Sequence, residues 1–310
     1  MKAIRIHRFN DEPRLEDIPA PGIGPDQVLV RVDAAALNPL DALVVSGVAR
    51  HFFDIALPIT LGTDFAGTIE RVGMAVTGWS VGDRVICWAD AGTGGGFAER
   101  AAVPADACVP LPPGLSAAEG AAIPTAGITA WHALFSAAGL KPGETVLVHA
   151  GAGGVGSFAI QFAHKAGARV IATASGDGVE LARSLGADEV VDYRTQDFAA
   201  AVSGVDVVLD LVGGETQTRS YAVLRTGGRM VSTAMLPDEA IGKDRGITAS
   251  MFYAKPYADR LGELVDAIAQ QGVKVVIDRH VPIGSFNEAW ARLTSGKARG
   301  KIVVSCAPGH

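Results

Sequence analysis

The chain has 310 residues, which at about 150 residues per domain suggests two domains with enough core to need neither disulfide nor metal. Apolar residues make up 48% and charged residues 19%, which excludes a disordered chain. The net charge of −6 and an aromatic share of 6% give no support to a nucleic-acid surface.

The first third reads as β. Lys2–Ile6, Gln27–Val32, Thr68–Val72, Arg84–Trp88 and Phe97–Val103 are predicted strands. Pro21-Gly22, Gly24-Pro25, Gly78, Gly82-Asp83 and the glycines at 92, 94, 95 and 96 supply turns and loops between them. This pattern suits a small, irregular barrel. After Leu111-Pro112-Pro113-Gly114 the texture changes to alternating strands and helices. Ser116 is a predicted N-cap for a helix beginning at Ser116–Gly120. Helices are expected over Thr129–Ala138, Gly156–Ala166, Val179–Leu185 and Glu215–Leu224. Strands are expected over Glu144–Ala150, Val170–Ala174, Glu189–Val191, Asp206–Asp210 and Arg229–Ser232. Such alternation builds βαβ units and a parallel sheet. Ile247–Phe252 reads as an edge strand, Tyr257–Gln271 as a helix, Lys274–Ile277 as a strand, Phe286–Leu293 as a helix and Lys301–Val304 as a strand.

No apolar run is clean enough to cross a membrane, and the charged, alternating N-terminus is unlike a secretion signal. Cys87, Cys108 and Cys306 show no C-x-x-C spacing, as expected of reduced thiols in a cytoplasmic protein.

Gly151-Ala152-Gly153-Gly154-Val155-Gly156 matches G-x-G-x-x-G, with a predicted strand before it, a helix opening from it and a second strand beyond. Glycines let the chain turn tightly and let a pyrophosphate approach, and the helix N-terminus offers free N–H groups and a positive dipole end. The same loop could instead simply pack a helix on a strand. Dinucleotide sites for NAD place an acid about twenty residues on, bonding the ribose 2′-OH. Ser175 stands there, and a hydroxyl can donate to a 2′-phosphate that a carboxylate would repel. NADPH is therefore the expected cofactor. Asp177 follows two residues later, and Arg183 and Arg194 are the nearest downstream arginines.

Several segments resemble the medium-chain dehydrogenase/reductase superfamily, and within it the zinc-independent quinone oxidoreductase and ζ-crystallin branch. They are Ala36-Leu37-Asn38-Pro39-Leu40-Asp41, Leu61-Gly62-Thr63-Asp64-Phe65-Ala66-Gly67, Val81-Gly82-Asp83-Arg84-Val85, Gly127-Ile128-Thr129-Ala130-Trp131, Ala150 through Gly156, and Gly296-Lys297-Ala298-Arg299-Gly300-Lys301-Ile302-Val303. The resemblance implies an α/β protein. A GroES-like β-barrel catalytic domain would span 1–116 and 257–310, and a doubly wound Rossmann domain 117–256. Zinc-dependent relatives carry a Cys in the segment matching Leu37–Asp41 and a His-Glu after the glycine matching Gly62. This chain has neither, so no metal is expected. NADPH-using relatives often carry a Lys shortly after the second strand, and residues 176–180 hold no base.

By resemblance Asn38 lies near the nicotinamide, where its amide could donate to a carbonyl oxygen or the ribose; capping a turn before Pro39 is the plainer role. Thr129 matches a threonine on the nicotinamide carboxamide, or it is a hydroxyl at a helix N-terminus. Asp41 could relay protons or be structural. Tyr193 would stack near the adenosine end, or be an ordinary strand-end tyrosine. Val212, Thr233 and Phe252 fall at or just after strand ends, where ligands bind; apolar packing is the competing role for Val212 and Phe252. His132 and His164 have no spaced ligand partners and read as structural.

These features lead to a reductase of quinones or α,β-unsaturated carbonyls, with an oxyanion steadied by Asn38 or a cofactor hydroxyl. The four tyrosines, Tyr193, Tyr221, Tyr253 and Tyr257, all lie outside the segment 38–53, which favours proton delivery by solvent. A non-enzymatic, crystallin-like NADPH-binding protein is the alternative. No nucleic-acid or membrane partner is expected. A homodimer joined along Ile247–Phe252 is.

Overall fold

The computed structural model describes residues 1–253 and 258–307. In chain order the first strands are β1 (Lys2–Ile6), β2 (Arg14–Asp17), β3 (Gln27–Leu37), β4 (Ile59–Thr60), β5 (Asp64–Val72), β6 (Arg84–Trp88), β7 (Arg100–Pro104) and β8 (Cys108–Pro110). Helix α1 (Pro39–Ser46) lies among them, and α2 (Ala117–Ala122) and α3 (Pro124–Trp131) follow. The chain then alternates: β9 (Thr145–Val148), α4 (Gly154–Lys165), β10 (Arg169–Ala174), α5 (Gly178–Ser184), β11 (Glu189–Asp192), α6 (Phe198–Ala201), β12 (Val205–Asp210), α7 (Gly214–Val223), β13 (Leu224–Ser232), α8 (Glu239–Gly242) and β14 (Thr248–Met251). The last elements are α9 (Ala258–Gln271), β15 (Ile277–Pro282), α10 (Phe286–Thr294) and β16 (Lys301–Ser305).

Contacts divide the chain into two units. The first comprises residues 1–125, α9 and the chain from Ile277. Its main sheet runs β15-β16-β3-β5-β6-β8, with β7 also on β3, and β2-β1-β4 forms a smaller sheet. The long strand β3 is apolar along nearly its whole length because β5, β7 and β16 all pair with it. Ile4, Val30, Phe65, Ile69, Phe97 and Phe286 fill the interior, and Phe97 meets Phe286 edge to face at 5.2 Å. Residues 97–99, expected within a strand, precede β7. Phe97 instead bridges β1 and Leu61 through its own N–H and carbonyl. The predicted cap is present: Ser116 accepts from the Glu119 N–H, and Glu119 accepts from the Ser116 N–H. The helix it opens, α2, packs on β3 and β5 of the first unit.

The second unit comprises residues 126–253 and Val273–Val276. All its strands are parallel, in the order β11-β10-β9-β12-β13-β14. The order reverses beside β9, as in dinucleotide-binding sheets. Leu147, Ile171, Val191, Val208 and Met230 contribute to its core, and burial of the parallel sheet fits the continuous apolar stretches Val146–Val148 in β9 and Val207–Leu209 in β12. The predicted edge strand is β14 at the sheet's end.

Two expectations fail here. Lys274–Ile277 forms no strand before Ile277. The Gln161 side chain reads that backbone like a strand would, accepting from Lys274 N–H (2.7 Å) and donating to its carbonyl (3.0 Å). The helix expected over Thr129–Ala138 starts earlier, at Pro124, and loosens into a π-helical segment over His132–Ala137. The boundary expected between 256 and 257, and the helix start at Tyr257, lie outside the described residues.

Candidate active site

In the second unit the strand β9 delivers the chain into the glycine loop. A Cβ added at Gly156 would collide with the Ala150 carbonyl oxygen and the Gly151 backbone. At Gly151 it would come within 2.8 Å of the Ala172 Cβ and 3.0 Å of the Ile160 Cδ1. These two glycines let α4 approach the sheet closely. Gly153 opens α4 with no side-chain cap bond, so the helix's leading N–H groups are available to an acceptor. A cradle with this shape and polarity fits a dinucleotide's pyrophosphate.

Ala150, just before the loop, is a non-glycine residue at φ +50°. A chain of hydrogen bonds holds it there. Ser220 Oγ donates to the Thr216 carbonyl (2.7 Å), so it must accept from His149 Nε2–H (2.8 Å). His149 Nδ1 is then an acceptor, filled by Thr173 Oγ1–H (3.1 Å), and Thr173 Oγ1 in turn accepts the Ala150 N–H (3.2 Å). Burial pushes the imidazole down to about 4, with the nearby Asp210 pulling the other way. A neutral ring is what this one-way chain requires.

The expected cofactor residues fall just past the carboxyl ends of these parallel strands: Ser175 after β10, Tyr193 after β11, Val212 after β12, Thr233 after β13 and Phe252 after β14. Ser175 and Tyr193 meet directly, the serine hydroxyl on the phenol oxygen at 2.8 Å. Ser175 is buried and Tyr193 is 56% exposed, so the tyrosine presents the pair to solvent. Val212 is 51% exposed, which rules out apolar packing as its role. Asp210 fixes that loop, accepting from the Val212 and Gly213 N–H groups through Oδ1, and from Gln217 and Ser232 through Oδ2. Phe252 stacks on the His132 ring, and His132 also bonds Ser136. Thr129 lies inside α3 and is buried, so it is not the N-terminal hydroxyl of a helix.

In the first unit Asn38 stands at the N-cap of α1 and forms a capping box with Asp41. The plainer role expected for it is thus present too, beside the contacts described next. Its Oδ1 accepts from Lys301 Nζ, and its N–H donates to Asp41 Oδ2 (2.7 Å). Lys301 also donates to the Leu37 carbonyl (2.8 Å) and lies 3.9 Å from Asp64 Oδ2. Asp64 follows Thr63 in the segment after Gly62 and accepts from Thr63 Oγ1, Thr125 Oγ1 and the Thr125 N–H at the start of α3. Burial raises Asp41 to about 7 and lowers Lys301, whose flanking carboxylates oppose that fall. One atom of this cluster has no partner. Asn38 is 2% exposed, and its buried Nδ2 bonds nothing. Among the described residues no group of three His, Cys, Asp or Glu side chains could hold a metal ion.

Lys301 and Asp64 were not among the expected site residues. Their segments were conspicuous, but the pairing joins positions 263 and 237 residues apart (301 − 38 and 301 − 64), and local pattern carries no sign of it.

Residues 24–113 match a family profile described as an alcohol dehydrogenase GroES-like domain, and 185–304 match one described as a zinc-binding dehydrogenase. A chloroplast envelope quinone oxidoreductase homolog from Arabidopsis thaliana is 35% identical over 305 residues, covering 93% of this chain and 92% of the relative. The quinone oxidoreductase of Coxiella burnetii superposes with a TM-score of 0.90 at 32% identity, covering 98% of this chain and 99% of that one. The Escherichia coli quinone oxidoreductase, solved in complex with NADPH, gives 0.89 at 26% identity, covering 98% and 100%. The parallel sheet with its glycine loop, the GroES-like first unit and these likenesses make the chain an oxidoreductase that belongs to the quinone oxidoreductase family of the medium-chain dehydrogenase/reductase superfamily.

Proposed function

We propose that the protein is an NADPH-dependent, zinc-independent reductase of quinones or α,β-unsaturated carbonyls. The observation that carries this reading is the unpartnered Asn38 Nδ2. A buried amide donor without an acceptor costs about 1–3 kcal/mol, a cost that a substrate oxygen would remove. NADPH, when bound, supplies the hydride. The N–H groups opening α4 bind the pyrophosphate, and the Ser175–Tyr193 pair faces the adenosine ribose and its 2′-phosphate. Val212, Thr233, Phe252 and Thr129 line the nicotinamide end. Asn38 orients the acceptor's carbonyl and steadies the oxygen as it gains negative charge. Solvent then protonates that oxygen in a quinone, or the carbon beside the carbonyl in an enone. The segment Leu37–Asp41 holds no Cys and Gly62 is followed by Thr63-Asp64, with the Lys301 ammonium beside Asn38 and Asp64, which supports chemistry without a metal.

The test follows loss of the reduced nicotinamide's absorbance with a quinone and an enone in parallel, first with NADPH and then NADH. Turnover of at least one acceptor, faster with NADPH, is expected. Tight NADPH binding without turnover of either acceptor would overturn the enzyme reading. Homodimerisation along the β14 edge belongs to the same reading, and a monomeric mass by light scattering would remove it.

A further inference from the structure

We infer that Lys301 is the positioning residue for Asn38, holding its amide so that Nδ2 is the donor left for the acceptor's oxygen. This inference rests on the reading of Asn38 given above. An ammonium has three donors and no acceptor, so it can face only the oxygen of an amide. With Oδ1 on Lys301, Nδ2 must point away from it, and that is the atom left unpartnered. The lysine is itself fixed by backbone. Its neighbour Ile302 pairs with Leu37 in the β16–β3 ladder, and Nζ bonds the Leu37 carbonyl. Asp41 secures the Asn38 main chain from the other side, through the Asn38 N–H. Lys301 is 4% exposed, so no water competes strongly for these bonds. Remove the ammonium and the amide loses the charged donor that fixes its oxygen: Oδ1 can then turn toward the acceptor, and an oxygen there repels a developing oxyanion.

The experiment compares the wild type, Lys301→Met, Asn38→Ala and the double variant. It reads kcat and KM for a quinone, and Kd for NADPH by quenching of protein fluorescence. Lys301→Met should lower kcat about tenfold or more, as misplacement of a catalytic donor does, while NADPH Kd stays within about twofold, since the dinucleotide cradle is untouched. In the Asn38→Ala background the same change should cost nothing further, because Lys301 acts through the missing amide. Multiplying losses in the double variant, or an unaffected kcat in Lys301→Met beside a damaging Asn38→Ala, would overturn the positioning role alone. A silent Asn38→Ala would overturn the reading of the site as well. If Lys301→Met fails to fold, the charge-balanced pair Lys301→Met/Asp64→Asn takes its place with the same expectations against Asp64→Asn.

Discussion

Two buried polar networks differ in one respect. Around His149 every polar group is paired: Ala150 N–H, Thr173, both ring nitrogens, Ser220 and the Thr216 carbonyl form a closed series. Around Asn38 the series of Lys301, Leu37, Asp41 and Asp64 is equally buried but ends on a donor with nothing to bond. A complete network shapes the backbone that a ligand will meet. An incomplete one leaves a donor open, and on the proposed function a ligand's oxygen completes it. Loss of the first should show in stability and loss of the second in turnover.

Four substitutions press on that contrast. The largest effect belongs to the dinucleotide cradle that follows His149. Gly156→Ala puts a Cβ into the Ala150 carbonyl, and isothermal calorimetry should find dinucleotide affinity reduced by about 100-fold or more. Next, Asn38→Ala should lower kcat/KM by about 100-fold, the lower end of the scale for one lost oxyanion donor, with little change in Tm. His149→Phe should do the reverse: about 2 kcal/mol less stability from stranded Thr173 and Ser220 hydroxyls, with kcat nearly kept. The imidazole's folded value of about 4 against 6.5 makes its contribution full above pH 6.5 and lost as pH falls toward 4. Denaturation of the wild type across that window should therefore be steeper in pH than that of His149→Phe. Last comes Asp41→Asn, whose effect shows only in the pH dependence of stability. Because Asp41 is raised from 3.8 to about 7, its ionisation weakens the fold as pH climbs through that interval. Relative to the wild type, the variant should be more stable at pH 8 than at pH 5, since the Asn side-chain oxygen still accepts the Asn38 N–H and carries no charge to bury. A Tm difference independent of pH would contradict the assignment.

The second unit was the more legible from sequence, because its signals are local. Gly151, Gly153 and Gly156 follow a strand and open a helix within six residues, and β-rich runs alternate with helical ones. The cap at Ser116 was readable for the same reason: its partner is three residues away. Where a side chain replaces backbone pairing, local reading fails. Lys274–Ile277 has strand composition, but its partner is the amide of Gln161. Asn38 was picked out by resemblance, with capping as its plainer role; the capping box is there, and what no local pattern announced is Lys301 on its oxygen. The partnership of Lys301 with Asp64 was invisible for want of any period or spacing that links them. That Ser175 and Tyr193 would touch each other, before any ligand, was not anticipated either, although both were named.

The pairing of β16 with β3 also imposes an order in time. During synthesis the ribosome releases β3, Asn38, Asp41 and Asp64 early, but their ammonium and the strand that carries it come 263 residues after Asn38. Until then β3 has an open edge, and two carboxyl groups destined for the interior have no cation. Residues 126–253 meet no such delay, because all six strands of their sheet lie within that one stretch. The nascent second unit should resist protease while the first is still cut, and protection of the first should arrive only with Lys301. Protection of residues 1–125 on chains stalled before β16 would show that the barrel closes without it.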